Sequence, residues 1–142
     1  IRLGYNLWRT GGRPKAKELF AASIDWPEIS IHDKAAILSH LERKEESLAA
    51  YQKIADDLKE ASPDKKYDTD ACVYLILGNF QAGKKDQAIA YFRDLLKLAP
   101  AANDADVIEG SNLLAETKEV LKKVLALTLA RHPELAPGAE GQ

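Results

Sequence analysis

Cys72 is the chain's only cysteine, which excludes an internal disulfide framework and any multi-cysteine metal site. Its apolar neighbours mark it as an ordinary buried thiol. Histidine is nearly as scarce: His32, His40 and His132 form no i, i+4 pair, and no thiol or carboxylate cluster follows metal-ligand spacing. His32 and His40 are eight residues apart, about 12 Å along a straight helix, too far to share one ion. Gly11-Gly12 and Gly83-Lys84-Lys85 lack both the glycine spacing and the preceding strand of a phosphate loop. No cofactor, no metal and no enzymatic activity are therefore expected. No apolar run approaches the roughly 20 residues needed to cross a bilayer, so membrane insertion by this segment is not expected. There is no charge excess either. With 20 basic and 22 acidic residues, nothing draws the chain to phosphate backbones, and nucleic acid is not an expected partner. A basic start leading into an apolar signal core is also missing, and a first residue other than methionine points to processing or to a longer chain.

What is present is enough to fold. The 142 residues include 46% apolar side chains, sufficient for one domain with a continuous core. Nothing alternates apolar and polar residues as a strand would, whereas amphipathic stretches recur in pairs between helix breaks, so the fold class is all-α. Leu3, Leu7 and Trp8 place a helix over residues 1–10, closed by Gly11-Gly12. Pro14 suits a first helical turn, and Ala16, Leu19 and Phe20 continue an apolar stripe to Asp25-Trp26-Pro27. Ser30 with Asp33 predicts an N-cap for a helix through Ala36, Ile37 and Leu41. Leu48, Tyr51, Ile54, Ala55 and Leu58 share one face of the next helix, which ends by Ser62-Pro63. Asp68 or Thr69 caps a fifth helix over 71–82, Gly83 closes it, and a sixth follows from about Asp86 to Leu98. The stripe from Leu113 to Thr128 predicts a long last helix that begins near Asp104 and bends at Gly110. Residues 132–142 hold little to bury and read as a flexible tail.

The breaks also repeat a pattern. Gly83, then Ala88 and Phe92 four apart, then Pro100, echo Gly11, Ala16 and Phe20, and a weaker copy runs through Ser47 and Tyr51. These units resemble the tetratricopeptide repeat, a helix-turn-helix of about 34 residues with a small residue and an aromatic at this spacing. Leu3-Gly4 and Pro27 belong to the first copy and Leu75 to the third, where Ile76 stands at the usual glycine place. The small residue lets two helices approach closely, and the aromatic fills the gap one turn later. Ser47 follows Ala16 by 31 residues and precedes Ala88 by 41. We read the first interval as a shortened front helix in the second unit, and the other as a longer back helix plus the connector 62–68. The alternative is a generic helical bundle with chance spacing.

The resemblance implies antiparallel helical hairpins stacked as a short right-handed superhelix over residues 1–131. Units span about 1–28, 29–63 and 68–100, followed by a capping helix over about 104–131. It also implies a protein-interaction scaffold whose front helices hold a protein or peptide. By register the groove residues are Tyr5, Trp8 and Arg9 in the first unit, Ser39 and His40 in the second, and Val73, Leu77, Phe80 and Gln81 in the third. Packing between hairpins is the competing role for Trp8 and Phe80. Chaperone-binding members clamp a carboxylate with lysine and asparagine early in the front helix, but Ile1 and Tyr5 stand there, so that function does not carry over. Val120, Leu121, Val124, Leu125 and Thr128 admit two readings, an inner face of the cap or the seam of a homo-oligomer. Structural self-association within a larger assembly is accordingly the alternative function.

Overall fold

Two backbone turns with the same hydrogen bonds organise the molecule. The computed structural model describes residues 30–137 together with 17–19 and 21–22, the latter two stretches being helical. Tyr5, Trp8, Arg9, Ala16 and Phe20 of the expected first unit lie outside the described residues. Helix α1 spans Ile31–His40, α2 Lys44–Ala61, α3 Thr69–Gln81 and α4 Lys85–Leu98. At the end of α1, the amides of Leu41, Glu42 and Arg43 donate to the carbonyls of Ile37, Ser39 and Leu38 at 2.9, 3.0 and 2.9 Å. At the end of α3, Ala82, Gly83 and Lys84 donate to Gly78, Phe80 and Asn79 at 3.1, 3.0 and 2.8 Å. Such bonds satisfy carbonyls that a helix end would otherwise leave free. The turn residue has positive φ in both, 80° at Gly83 and 62° at Glu42. The second unit therefore makes the turn without the glycine that its sequence lacks.

The described chain is all-helical, with antiparallel hairpins α1–α2 and α3–α4, and among the described residues there is no strand. Asp68 caps α3 by accepting from the Ala71 amide at 2.8 Å, and Ser30 caps α1 by accepting from Asp33 at 3.1 Å. Helix α1 has 10 residues against 13 in α3, and α2 has 18 against 14 in α4. Ser47 and Ala88 are buried at their hairpin crossings, followed by Tyr51 and Phe92. The Ser47 hydroxyl, replacing a second alanine, donates to the Ala35 carbonyl at 2.7 Å.

Gly78 brings the hairpins together. A Cβ there would lie 3.0 Å from Leu48 Cδ1 and 3.1 Å from Tyr51 Cβ. Helix α3 thus touches α2 with bare backbone. Beside this contact Tyr74 stacks on Tyr51 with ring centroids 6.2 Å apart and meets His32 edge-on at 5.4 Å.

The expected long last helix is two. After a 3₁₀ turn at Pro100–Asn103, α5 covers only Ala105–Glu109, residues 110–114 are not helical, and α6 runs over Ala115–Arg131. Gly110, Ser111 and Asn112 favour a turn over a gentle bend, and the Ser111 hydroxyl donates to the Ile108 carbonyl at 2.6 Å. Glu109 then ties the pieces together, accepting from Lys118 at its backbone oxygen and from Lys122 at its carboxylate, each at 2.7 Å. Helix α6 packs on both α3 and α4. It buries Leu121, Val124, Leu125 and Thr128 in the core, while Glu119 and Lys123 face outward. The start of the expected tail is tied down as well: Asn103 donates its side-chain amide to the Leu135 carbonyl at 2.8 Å, and Leu135 packs on the core. A lone leucine among prolines carries no periodic signal, which is why the sequence reading passes over it.

Candidate functional site

Helix α3 is apolar on nearly every side because it is flanked by α2, α4 and α6. Where α6 begins, this cover is incomplete. A cleft of about 220 Å³ opens there, lined by Asp70, Val73, Tyr74 and Leu77 from α3 and by Asn112, Leu113, Leu114 and Thr117. Val73 and Leu77 form its floor, only 8% and 6% exposed. Leu114 stands at its edge with 78% of its surface in water. That exposure follows from the broken helix, since Leu114 sits in extended backbone just ahead of α6.

Of the expected groove residues, the structure brings Val73 and Leu77 to this cleft, at its floor. His40 reaches its border from α1: Nε2 lies 3.4 Å from a carboxylate oxygen of Glu116, which directly precedes Thr117. Phe80 is half-buried against the core and Gln81 half-buried at the end of α3, neither of them lining the cleft. The Gln81 side-chain oxygen is buried without a hydrogen-bond partner among the described residues. Ser39 is half-buried and also does not line it, and its carbonyl is used by the turn at Glu42. Tyr5, Trp8 and Arg9 lie outside the described residues.

Sequence reasoning missed Asp70, Tyr74 and the wall from Asn112 to Thr117. The signal for that wall is Gly110-Ser111-Asn112, a loop-favouring cluster inside an otherwise periodic stripe. Asp70 is the sole charged residue lining the cleft, and no ion pair or hydrogen bond engages its side chain among the described residues. Burial and the nearby Asp70 carboxylate both push the Tyr74 phenol above its ordinary pKa.

A second, shallower hollow of about 340 Å³ is bordered by Lys59, Lys65, Lys66, Tyr67, Cys72, Asp94, Lys97 and Leu98. Most of its cations are already engaged. Lys59 lies 5.0 Å from the centre of the Tyr67 ring, Lys65 donates to the Glu60 carbonyl, and Lys97 is 3.7 Å from Asp94. Tyr67 donates to Asp56 at 2.7 Å, a bond that pushes its pKa up to about 12 and fixes the connector on α2. Burial, with smaller contributions from Asp94 and Asp68, raises the Cys72 thiol to about 11.

Among the described residues, no three His, Cys, Asp or Glu side chains are grouped to hold a metal ion, and no helix is long and apolar enough to cross a membrane. Comparison with protein-family models, with curated proteins and with solved structures gave no significant match.

Proposed function

We propose that this chain is a tetratricopeptide-like interaction module that holds a segment of a partner protein against the front face of α3. The observation that carries this reading is the cleft itself: buried Val73 and Leu77 at its floor and a fully formed apolar side chain, Leu114, left in water at its edge. An exposed leucine beside an apolar floor fits a site completed by another molecule. Support for the repeat reading comes from the two matching turns and from the burial of Ser47 and Ala88 at equivalent crossings. On this reading the protein works by binding, without catalysis. Self-association through α6 has less to recommend it, since the stripe needed for a seam is spent on the molecule's own core.

The test is site-directed photo-crosslinking in extracts of the source cells. A photoreactive amino acid in place of Leu114 should give discrete adducts with a partner protein, and one in place of the exposed Lys123 should give none above background. Equal adduct patterns at the two positions would remove the cleft as the binding site.

A further inference from the structure

Resting on the reading just proposed, the cleft's size and charge narrow what it takes. At about 220 Å³ it falls below the roughly 300–1,000 Å³ of sites that enclose a small organic ligand. It has room for the end of one large side chain. The floor is apolar, so that side chain is apolar too. Charge in the lining itself is one-sided, since the His40–Glu116 pair stands outside it. Asp70 lines the cleft without an ion-pair partner among the described residues, whereas Lys118 and Lys122, on the turns of α6 that follow Thr117, are not in the lining and are held on the Glu109 backbone oxygen and carboxylate. Capping is already supplied to α3 by Asp68, so Asp70 is not needed to satisfy the helix's free amides, although its charge suits the helix start. A carboxylate beside an apolar cleft attracts a cation carried next to an apolar group, and it repels phosphate.

We infer that the cleft of Asp70, Val73, Leu77 and Leu114 recognises a peptide segment in which a large apolar residue is flanked by lysine or arginine. The apolar side chain enters over Val73 and Leu77 and packs against Leu114, while the neighbouring cation sits on Asp70. The contact is one anchor plus one border charge, so the affinity of an isolated peptide is modest and a partner gains by further contacts elsewhere on the module.

The experiment titrates three acetylated, amidated nine-residue peptides into the ¹⁵N-labelled protein. They share a Gly/Ser background and differ only at the centre, with Lys-Leu-Arg, Glu-Leu-Glu or Lys-Ala-Arg. Lys-Leu-Arg should move the amide signals of residues 70–77 and 112–117. Lys-Ala-Arg should bind about tenfold more weakly for loss of the anchor, and Glu-Leu-Glu several-fold more weakly for the reversed charge. Asp70→Asn should remove the preference between the two leucine peptides and Asp70→Lys should invert it, with circular dichroism confirming that both variants keep their helix content. Equal binding of the two leucine peptides to the native protein, or an order unchanged by Asp70→Lys, overturns the charge assignment and leaves the cleft as a general apolar site. No signal shift at the cleft with any peptide overturns both this assignment and the interaction reading beneath it.

Discussion

Glu42 carries a cost that its counterpart Gly83 avoids. Both residues turn the chain with positive φ, at 62° and 80°, but only glycine enters that region without a clash between Cβ and the backbone, a difference of about 1–2 kcal/mol. The Glu42 side chain is exposed and makes no ion pair among the described residues, so nothing local offsets the strain. Against this, glycine loosens the unfolded chain by about 0.4–1 kcal/mol. Glu42→Gly should therefore raise stability by about 0.5–1 kcal/mol, read as a higher urea midpoint at unchanged slope. A lower midpoint would mean that the Glu42 side chain contributes more than its exposure suggests. Ser47 shows a different economy of the same kind. The close approach of α1 and α2 leaves room only for a small residue there, and serine supplies one whose hydroxyl is satisfied on Ala35 rather than left bare in the core.

At the scale of helices, periodicity and capping chemistry identify most elements. Ser30, Asp68 and Gly83 stand where the sequence places them. Two features escape a linear reading for physical reasons. Leu113 and Leu114 satisfy helical spacing with Thr117, so the stripe reads through Gly110, although the backbone there leaves the helix to form a turn. Gly78 gives no periodic signal, because its contribution is the absence of a side chain opposite another helix. That contribution has a measurable consequence. On helix propensity alone Gly78→Ala would gain about 1 kcal/mol. The new methyl would press on Leu48 Cδ1 at 3.0 Å and on Tyr51 Cβ at 3.1 Å. A leucine tip can swing aside, but a Cβ moves only with its helix, and overpacking of that kind costs about 1–3 kcal/mol. We expect a net loss of about 1–2 kcal/mol by urea unfolding. In a double-mutant cycle, Gly78→Ala with Leu48→Ala should be less destabilised than the sum of the single changes, because part of the clash is gone. A Gly78→Ala protein more stable than the native one would show that α2 and α3 can separate at little cost.

For the whole molecule, what the sequence conveys is which helices face inward. Val73 and Leu77 are expected on the front of α3; they line the cleft, and their near-complete burial depends on residues some 40 positions later that fold back over them. Asp70 reads locally as an ordinary helix-start acid, and only the tertiary fold sets it beside an apolar floor. The role of α6 was likewise open between a cap and an oligomer seam, since one apolar stripe serves either. Its position against both α3 and α4 favours the cap, and the two roles separate on one substitution. Val124 is 0% exposed within the single chain. Placing a carboxylate there leaves an unpaired buried charge, a change in the severe class of more than about 4 kcal/mol. For a cap, Val124→Asp should abolish the cooperative thermal transition and collapse helical circular dichroism at every protein concentration, while Lys123→Ala on the outer face leaves both nearly unchanged. For a seam, the same substitution would convert a dimer into a folded monomer, and the native melting temperature would rise with concentration. Light scattering and melting curves over a hundredfold range of concentration distinguish the two. We expect a concentration-independent native transition and an unfolded Val124→Asp variant, because the surface that α6 covers is the molecule's own.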